Sequence, residues 1–348
     1  MGSTNIRNQI FPQMQDYDNM PSGHFVPYSM LSGPENFKSK NINTDRFGFR
    51  ITKSNNLTSI VENINEYEKV NIILGGSTVF GVGSTNDSTT IASLLQSHTG
   101  EKWLNFGVRG CNSLQEYIYL ISHLSKANNI NNIIFFSGIN DLYLSLVNEY
   151  HDDYDYGFGT KFNKISSFHP YHQSFAVFFS RLYGLDYNDL IQFRKKEMIF
   201  PFSKLNKKKK EKLDFNKRID RFLNQYQRNF KLYKGLKNSL QTDKVQFILQ
   251  PLINWSNKNI SENEKKVLDF LDKQQKESPW QEFKLVIDQK EVVHKINTFF
   301  DSLSRSENIK FQNSNTLFDY ENSDCFVDSV HLTDYGNKKI AEFIFNKL

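Results

Sequence analysis

A chain of 348 residues, 38% hydrophobic and 23% charged, is long enough to bury a sizeable core as one large domain with insertions or two modest ones. Its 43 Lys and Arg against 38 Asp and Glu leave a formal charge of +5, too mild an excess over this length to point to nucleic acid. Two cysteines make no disulfide framework, the first 23 residues lack a signal peptide's basic start and apolar run, and the densest apolar stretch, "FAVFF" (175–179), is far too short to span a bilayer. The expected setting is a reducing cytoplasm.

Residues 1–50 are polar, rich in Asn, Pro and Ser, and read as an arm packing over the main domain, with "NINTDRFGFR" (41–50) its best candidate for order. The arm as a whole runs to residue 67, and a domain of alternating strands and helices follows over 68–348. "KVNIIL" (69–74) is a short apolar strand ending at Gly75. "DSTTIASLLQSHTG" (87–100) reads as a helix with Asp87 or Ser88 as N-cap and Gly100 as terminator. "KWLNFG" (102–107) is a second strand, and 113–127 a second helix with Ser113 and Glu116 as a capping box. "NIIFFSG" (132–138) is apolar throughout, as a strand buried on both faces should be.

The rhythm breaks over 144–215, an aromatic and polar insertion containing "KKKKEK" (207–212). A long helix over 217–240 precedes the strand "KVQFILQ" (244–250). A polar insertion (254–288), a helix near 289–306 and the strand "NIKFQN" (308–313) come next. Residues 333–348 read as a closing helix capped by Thr333. Strands alternating with helices predict a parallel sheet covered on both faces.

"NIILGGSTVFG" (71–81) invites a phosphate-binding reading, which fails twice. Gly76 and Gly81 have Walker spacing, but Val82 stands where the lysine must be. A dinucleotide fingerprint beginning at Gly81 and Gly83 meets Asn86 where its last glycine belongs. The other reading is a nucleophile: Ser77 sits at a strand's C-terminal end ahead of a helix, where parallel sheets place their chemistry. It needs a base and an acid, and "CFVDSVHLTDYG" offers Asp328 three residues before His331. At that spacing the carboxylate can hold one imidazole nitrogen while the other faces outward. Asn140, in "SGIND", can present an amide at the same sheet edge, and Gly110, in "NFGVRGCNS", a backbone N–H. Each feature alone has a plain structural alternative: a turn serine, a capping Asp–His pair, ordinary strand-end loops.

Taken together, Ser77 in "GGST", Gly110 in "NFGVRG", Asn140 in "GIND" and Asp328 with His331 in "DSVH" resemble the four blocks of the SGNH hydrolases, or GDSL esterases and lipases. The resemblance covers roughly 68–142 and 244–348, and "INTDRFGFR" is similar to a segment preceding the catalytic domain in some bacterial members. Gly76 departs from the common G-D-S block, as in bacterial GGST variants. The G-x-S-x-G elbow of the α/β-hydrolases is absent, since position 79 is Val.

The resemblance implies a flavodoxin-like three-layer α/β/α sandwich around about five parallel strands. It also implies a Ser77–His331–Asp328 triad, with an oxyanion hole from the Ser77 and Gly110 N–H groups and the Asn140 amide. The activity it implies is hydrolysis of an acyl ester, by family analogy an O-acetyl group on a carbohydrate, without cofactor or metal. Two other functions stay open: an O-acyltransferase acting on a glycan, and a catalytically idle module binding a glycan or partner.

His169 and His172, in "FHPYHQ", have a spacing metals use but lack an evident third ligand. Cys111 and Cys325 read as free thiols, and the lysine run as a solvated segment. The 144–215 insertion, next to Asn140, is a candidate lid or wall of the acyl pocket.

Overall fold

The computed structural model describes residues 5–21, 23, 32–54, 56–146, 215–240, 244–276 and 278–348. The arm contributes α1 (Ile6–Ile10), α2 (Met14–Asn19) and an antiparallel hairpin of β1 (Thr52–Ser54) and β2 (Leu57–Ser59). The expected strands then form as β3 (Val70–Gly75), β4 (Trp103–Gly107), β5 (Ile130–Ser137), β6 (Val245–Leu249) and β7 (Lys310–Asn313). All pair in parallel, in the order β4-β3-β5-β6-β7. Numbered within the sheet alone, that is the flavodoxin-like order 2-1-3-4-5.

The connections are α3 (Ser77–Phe80), α4 (Ile91–Thr99), α5 (Ser113–Leu124), α6 (Ile139–Leu146) and α7 (Phe215–Ser239). Beyond β6 come α8 (Glu262–Gln274), α9 (Pro279–Ile287), α10 (Lys290–Glu307) and, closing the chain, α11 (Asp334–Phe345). Alternate strand residues serve opposite layers. Ile72, Leu104, Phe135 and Phe247 pack with Leu120 of α5, Tyr226 and Phe230 of α7 and Phe300 of α10. Ile73, Trp103, Ile134 and Ile248 pack with Ile91 and Leu95 of α4 and Ile340 and Ile344 of α11. The result is the three-layer α/β/α sandwich expected. Several of the chain's 31 phenylalanines lie in the first layer, where Phe247 and Phe300 ring centroids are 4.9 Å apart and Phe230 and Phe247 5.5 Å.

Two caps differ from the sequence reading. Asn112 caps α5 and Gln115 completes the box, one residue upstream of the Ser113/Glu116 pair, because Asn and Gln offer the same reciprocal geometry. Ser113 and Glu116 are buried instead, with Ser113 Oγ donating to Asp141 (2.6 Å) and Ser137 Oγ donating to Glu116 (2.7 Å). Thr90 caps α4, while Asp87 and Ser88 lie in a short 3₁₀ turn capped by Asn86. Asp87 is spent elsewhere, accepting from the buried Arg50 guanidinium at 2.9 Å.

That arginine is the centre of the arm's attachment. Arg50 also donates to the Tyr17 hydroxyl (2.6 Å) and to the Gly81 carbonyl (2.8 Å), just beyond α3. Phe11, Met14, Tyr17 and Met20 of the arm bury against Phe80, Val82, Val267 and Val327. The stretch 254–288 supplies α8 and α9 and a second brace. Lys258 and Glu264, both buried, pair at 2.7 Å, and Glu264 accepts from the Cys325 and Phe326 N–H groups at 2.8 and 3.0 Å.

Most of the 144–215 insertion, with "FAVFF", His169, His172 and the lysine run, lies outside the described residues. Among the described residues no helix is long and apolar enough to cross a membrane.

Candidate active site

β4, β3 and β5 end side by side, with Gly75 in register with both Gly107 and Phe136. Gly110, Ser77 and Asn140 follow these three strands in turn. The sheet order reverses between β3 and β5, the crevice where open parallel sheets take their ligands.

Ser77 opens α3, one turn closed by Gly81 in the left-handed conformation (φ 89°), whose N–H bonds back to Ser77 and Thr78 carbonyls. Neighbours hold that turn in place. Asn105 Nδ2 donates to the Val79 carbonyl at 2.8 Å, and Gln250 Nε2, from the end of β6, donates to Thr78 Oγ1 at 2.6 Å.

The loop ahead of α11 is closed by the Phe326–Leu332 bridge and the Val327 N–H to His331 carbonyl bond of 2.9 Å. Inside it, Asp328 Oδ1 accepts from the Val330 and His331 N–H groups, both at 2.9 Å. The same carboxylate meets His331 Nδ1 at 2.8 Å through Oδ2 and 3.0 Å through Oδ1. An ionised carboxylate only accepts, so the Nδ1 proton belongs to this contact and the lone pair to Nε2. Nε2 lies 2.7 Å from Ser77 Oγ. Burial alone would raise the Asp328 carboxyl, but His331, Arg7 and the Val330 N–H outweigh it and hold it well below the usual carboxylate range.

Asn140 Nδ2 donates to the Cys111 carbonyl at 2.7 Å, which orients the amide and leaves its second N–H for another acceptor. A Cβ at position 76 would stand 2.5 Å from that nitrogen. Glycine is therefore compatible with Asn140 where it is, and an aspartate would displace it. Gly110 turns with φ 73°, in the region that favours glycine, and its neighbour Cys111 supplies the carbonyl that Asn140 grips.

Sequence reasoning passed over Asp141, the next residue. It is buried and accepts from Ser113 N (3.1 Å), Ser113 Oγ (2.6 Å) and Tyr226 OH (3.2 Å), tying the Gly110 loop to the Asn140 helix. Burial, the largest influence, pushes its carboxyl up to about 6 against these hydrogen bonds. From the ordinary carboxylate range up to about pH 6 the unfolded chain has lost this proton and the folded chain retains it, so rising pH favours unfolding across that window. Asp141→Asn cannot ionise and removes that contribution. In urea melts its stability relative to wild type should rise by on the order of 1–3 kcal/mol between about pH 4 and about pH 6.5; a constant difference would contradict this reading.

Cys111 and Cys325 are buried and unpaired. Burial pushes the Cys325 thiol up to about 12 and Cys111 well above its ordinary value, so neither is poised as a thiolate nucleophile.

No protein-family model and no curated protein matches the chain. Among solved structures it is similar to a member of the lipolytic protein G-D-S-L family from Veillonella parvula, at 12% identity and TM-score 0.38, over 80% of this chain and 100% of that one. A carbohydrate acetylesterase from Sinorhizobium meliloti matches at 11% identity and TM-score 0.40, over 80% and 97% of the two chains. An extracellular lipase from Streptomyces rimosus matches at 12% and 0.38, over 80% and 99%. Likeness at this level assigns no activity.

Proposed function

We propose that the chain is a serine esterase of the SGNH type, acting on an acyl ester, with an O-acetyl group on a carbohydrate as the substrate class. The observation that carries this reading is the 2.7 Å contact of Ser77 Oγ with a His331 whose other nitrogen is held by Asp328. A serine hydroxyl is a weak nucleophile until a base takes its proton as it attacks. His331 Nε2 receives that proton, and the adjacent Asp328 carboxylate stabilises the imidazolium that forms. Ser77 Oγ bonds to the ester carbonyl carbon, and the tetrahedral oxyanion is met by the Ser77 and Gly110 N–H groups and the Asn140 amide. His331 returns the proton to the departing alcohol, leaving an acyl-serine. Water, deprotonated by His331, then attacks the acyl carbon; the bond to Ser77 Oγ breaks, the acid leaves and His331 returns the proton to Ser77.

Asn140 tests the oxyanion assignment. Asn140→Ala should lower kcat for an activated acetyl ester by about 10²–10³-fold while leaving the urea midpoint nearly unchanged. An unaltered kcat would remove Asn140 from the site. Product analysis with a sugar acceptor present separates release to water, the result expected, from transfer to the acceptor.

A further inference from the structure

The arm also reaches the loop that carries Asp328. Arg7 of α1 places Nη1 3.5 Å from Asp328 Oδ2, with the two side chains 16% and 10% exposed. Its other terminal nitrogen, Nη2, is anchored 2.5 Å from Asp18 Oδ1, and Asp18 is itself held by Asn8 Nδ2 at 3.0 Å. Asp328 Oδ1 is filled by the Val330 and His331 N–H groups and by Nδ1. Oδ2 meets both Nδ1, at 2.8 Å, and Arg7 Nη1. On the same arm, Phe11, Met14 and Tyr17 bury in the same cluster as Val327, the residue next to Asp328.

We propose that Arg7 is a positioning residue for the Ser77–His331–Asp328 relay, so that the N-terminal arm belongs to the catalytic apparatus. The inference rests on the esterase reading above. Arg7 acts through Asp328: it occupies the carboxylate's outer face, fixes the plane that presents Oδ2 to Nδ1, and balances a charge that is almost out of water. The charged groups around this pair are His331 on the Asp328 loop, Arg7 and Asp18 on the arm, and Arg109, which donates to the Tyr17 carbonyl at 3.3 Å and lies within the field of Asp18 and Arg7.

Arg7→Gln, Arg7→Lys and Arg7→Ala, assayed in the full chain on an activated acetyl ester, test the proposal. Arg7→Gln should lose about 10- to 100-fold in kcat with KM little changed, since a small misalignment of the relay is paid in the chemical step. With the cation gone the imidazolium faces the undiminished Asp328 charge, so the acid limb of the kcat/KM profile moves to higher pH. Arg7→Lys should recover part of kcat, and millimolar guanidinium should partly restore Arg7→Ala. Met14→Ala, which loosens the same arm cluster without touching Asp328, is the control and should leave the pH profile in place.

Wild-type kcat and pH profile in Arg7→Gln would overturn the proposal while leaving the esterase reading intact. So would the same pH shift in Met14→Ala, which would reduce Arg7 to one more anchor of the arm. A wild type without Ser77-dependent turnover would overturn the esterase reading and this proposal with it.

Discussion

Ser77→Ala and His331→Ala will each lower kcat for an activated acetyl ester by about 10⁶-fold, and the double variant will be no slower than either alone. The non-additivity is the substance of the prediction. Ser77 Oγ and His331 Nε2 share one hydrogen bond of 2.7 Å, so removing either leaves the other with no function in acyl transfer. What remains is a site that still binds the ester and still offers the Gly110 N–H and the Asn140 amide to an oxyanion, worth about 10³–10⁴ over water. Asp328→Ala should cost less, because the imidazole survives and loses only its orienting partner. Losses that multiplied in the Ser77/His331 double variant would mean that the two residues act separately and that the relay is misread.

The second large effect is on stability. Glu264→Met should cost about 3–5 kcal/mol, read as a lower urea midpoint at unchanged slope. The substitution leaves the Lys258 ammonium buried with only the carbonyls of Asn259 (2.9 Å) and Glu321 (3.3 Å). It also strips an acceptor from the Cys325 and Phe326 N–H groups and, at 3.0 Å, from the Ser261 N–H. The Cys325 and Phe326 groups begin the loop that carries Asp328 and His331, so kcat should fall with stability. Adding Lys258→Met relieves the orphaned charge, and the double variant should be less destabilised than the two single losses summed. A Glu264→Met variant within about 1 kcal/mol of wild type would mean that the pair contributes far less than a buried ion pair usually does.

The sheet was legible mainly through short apolar runs, Ile72–Leu74 in β3, Ile133–Phe136 in β5 and Phe247–Leu249 in β6, each closed by a glycine or a polar residue. Such a run has few alternatives to a strand covered on both faces. Ser77, Asn140 and the Asp328–His331 pair were legible as candidates for the same reason: each lies at the end of a strand or the start of a helix the pattern had already located. Their meeting was not, since Ser77 and His331 stand 254 positions apart and no local period links them.

The braces around the site leave even less trace. Arg50 reaches Asp87 across 37 positions and Glu264 reaches Cys325 across 61, and in sequence all four look like ordinary polar or small residues. Asp87 was misread as a helix cap because Asp is common there; its burial against a guanidinium is a property of the assembled chain. Arg7 shows the same limit, its partner being 321 positions away on the last loop of the fold.

The most direct test of the central claim, that Ser77 is an activated nucleophile, needs no knowledge of the substrate. The folded chain is treated with a fluorophosphonate probe beside Ser77→Ala, and the adduct is located by mass spectrometry. Phosphonylation at Ser77 that disappears in Ser77→Ala is the predicted result. A folded wild type that takes up no probe, or takes it up at another residue, would contradict the claim.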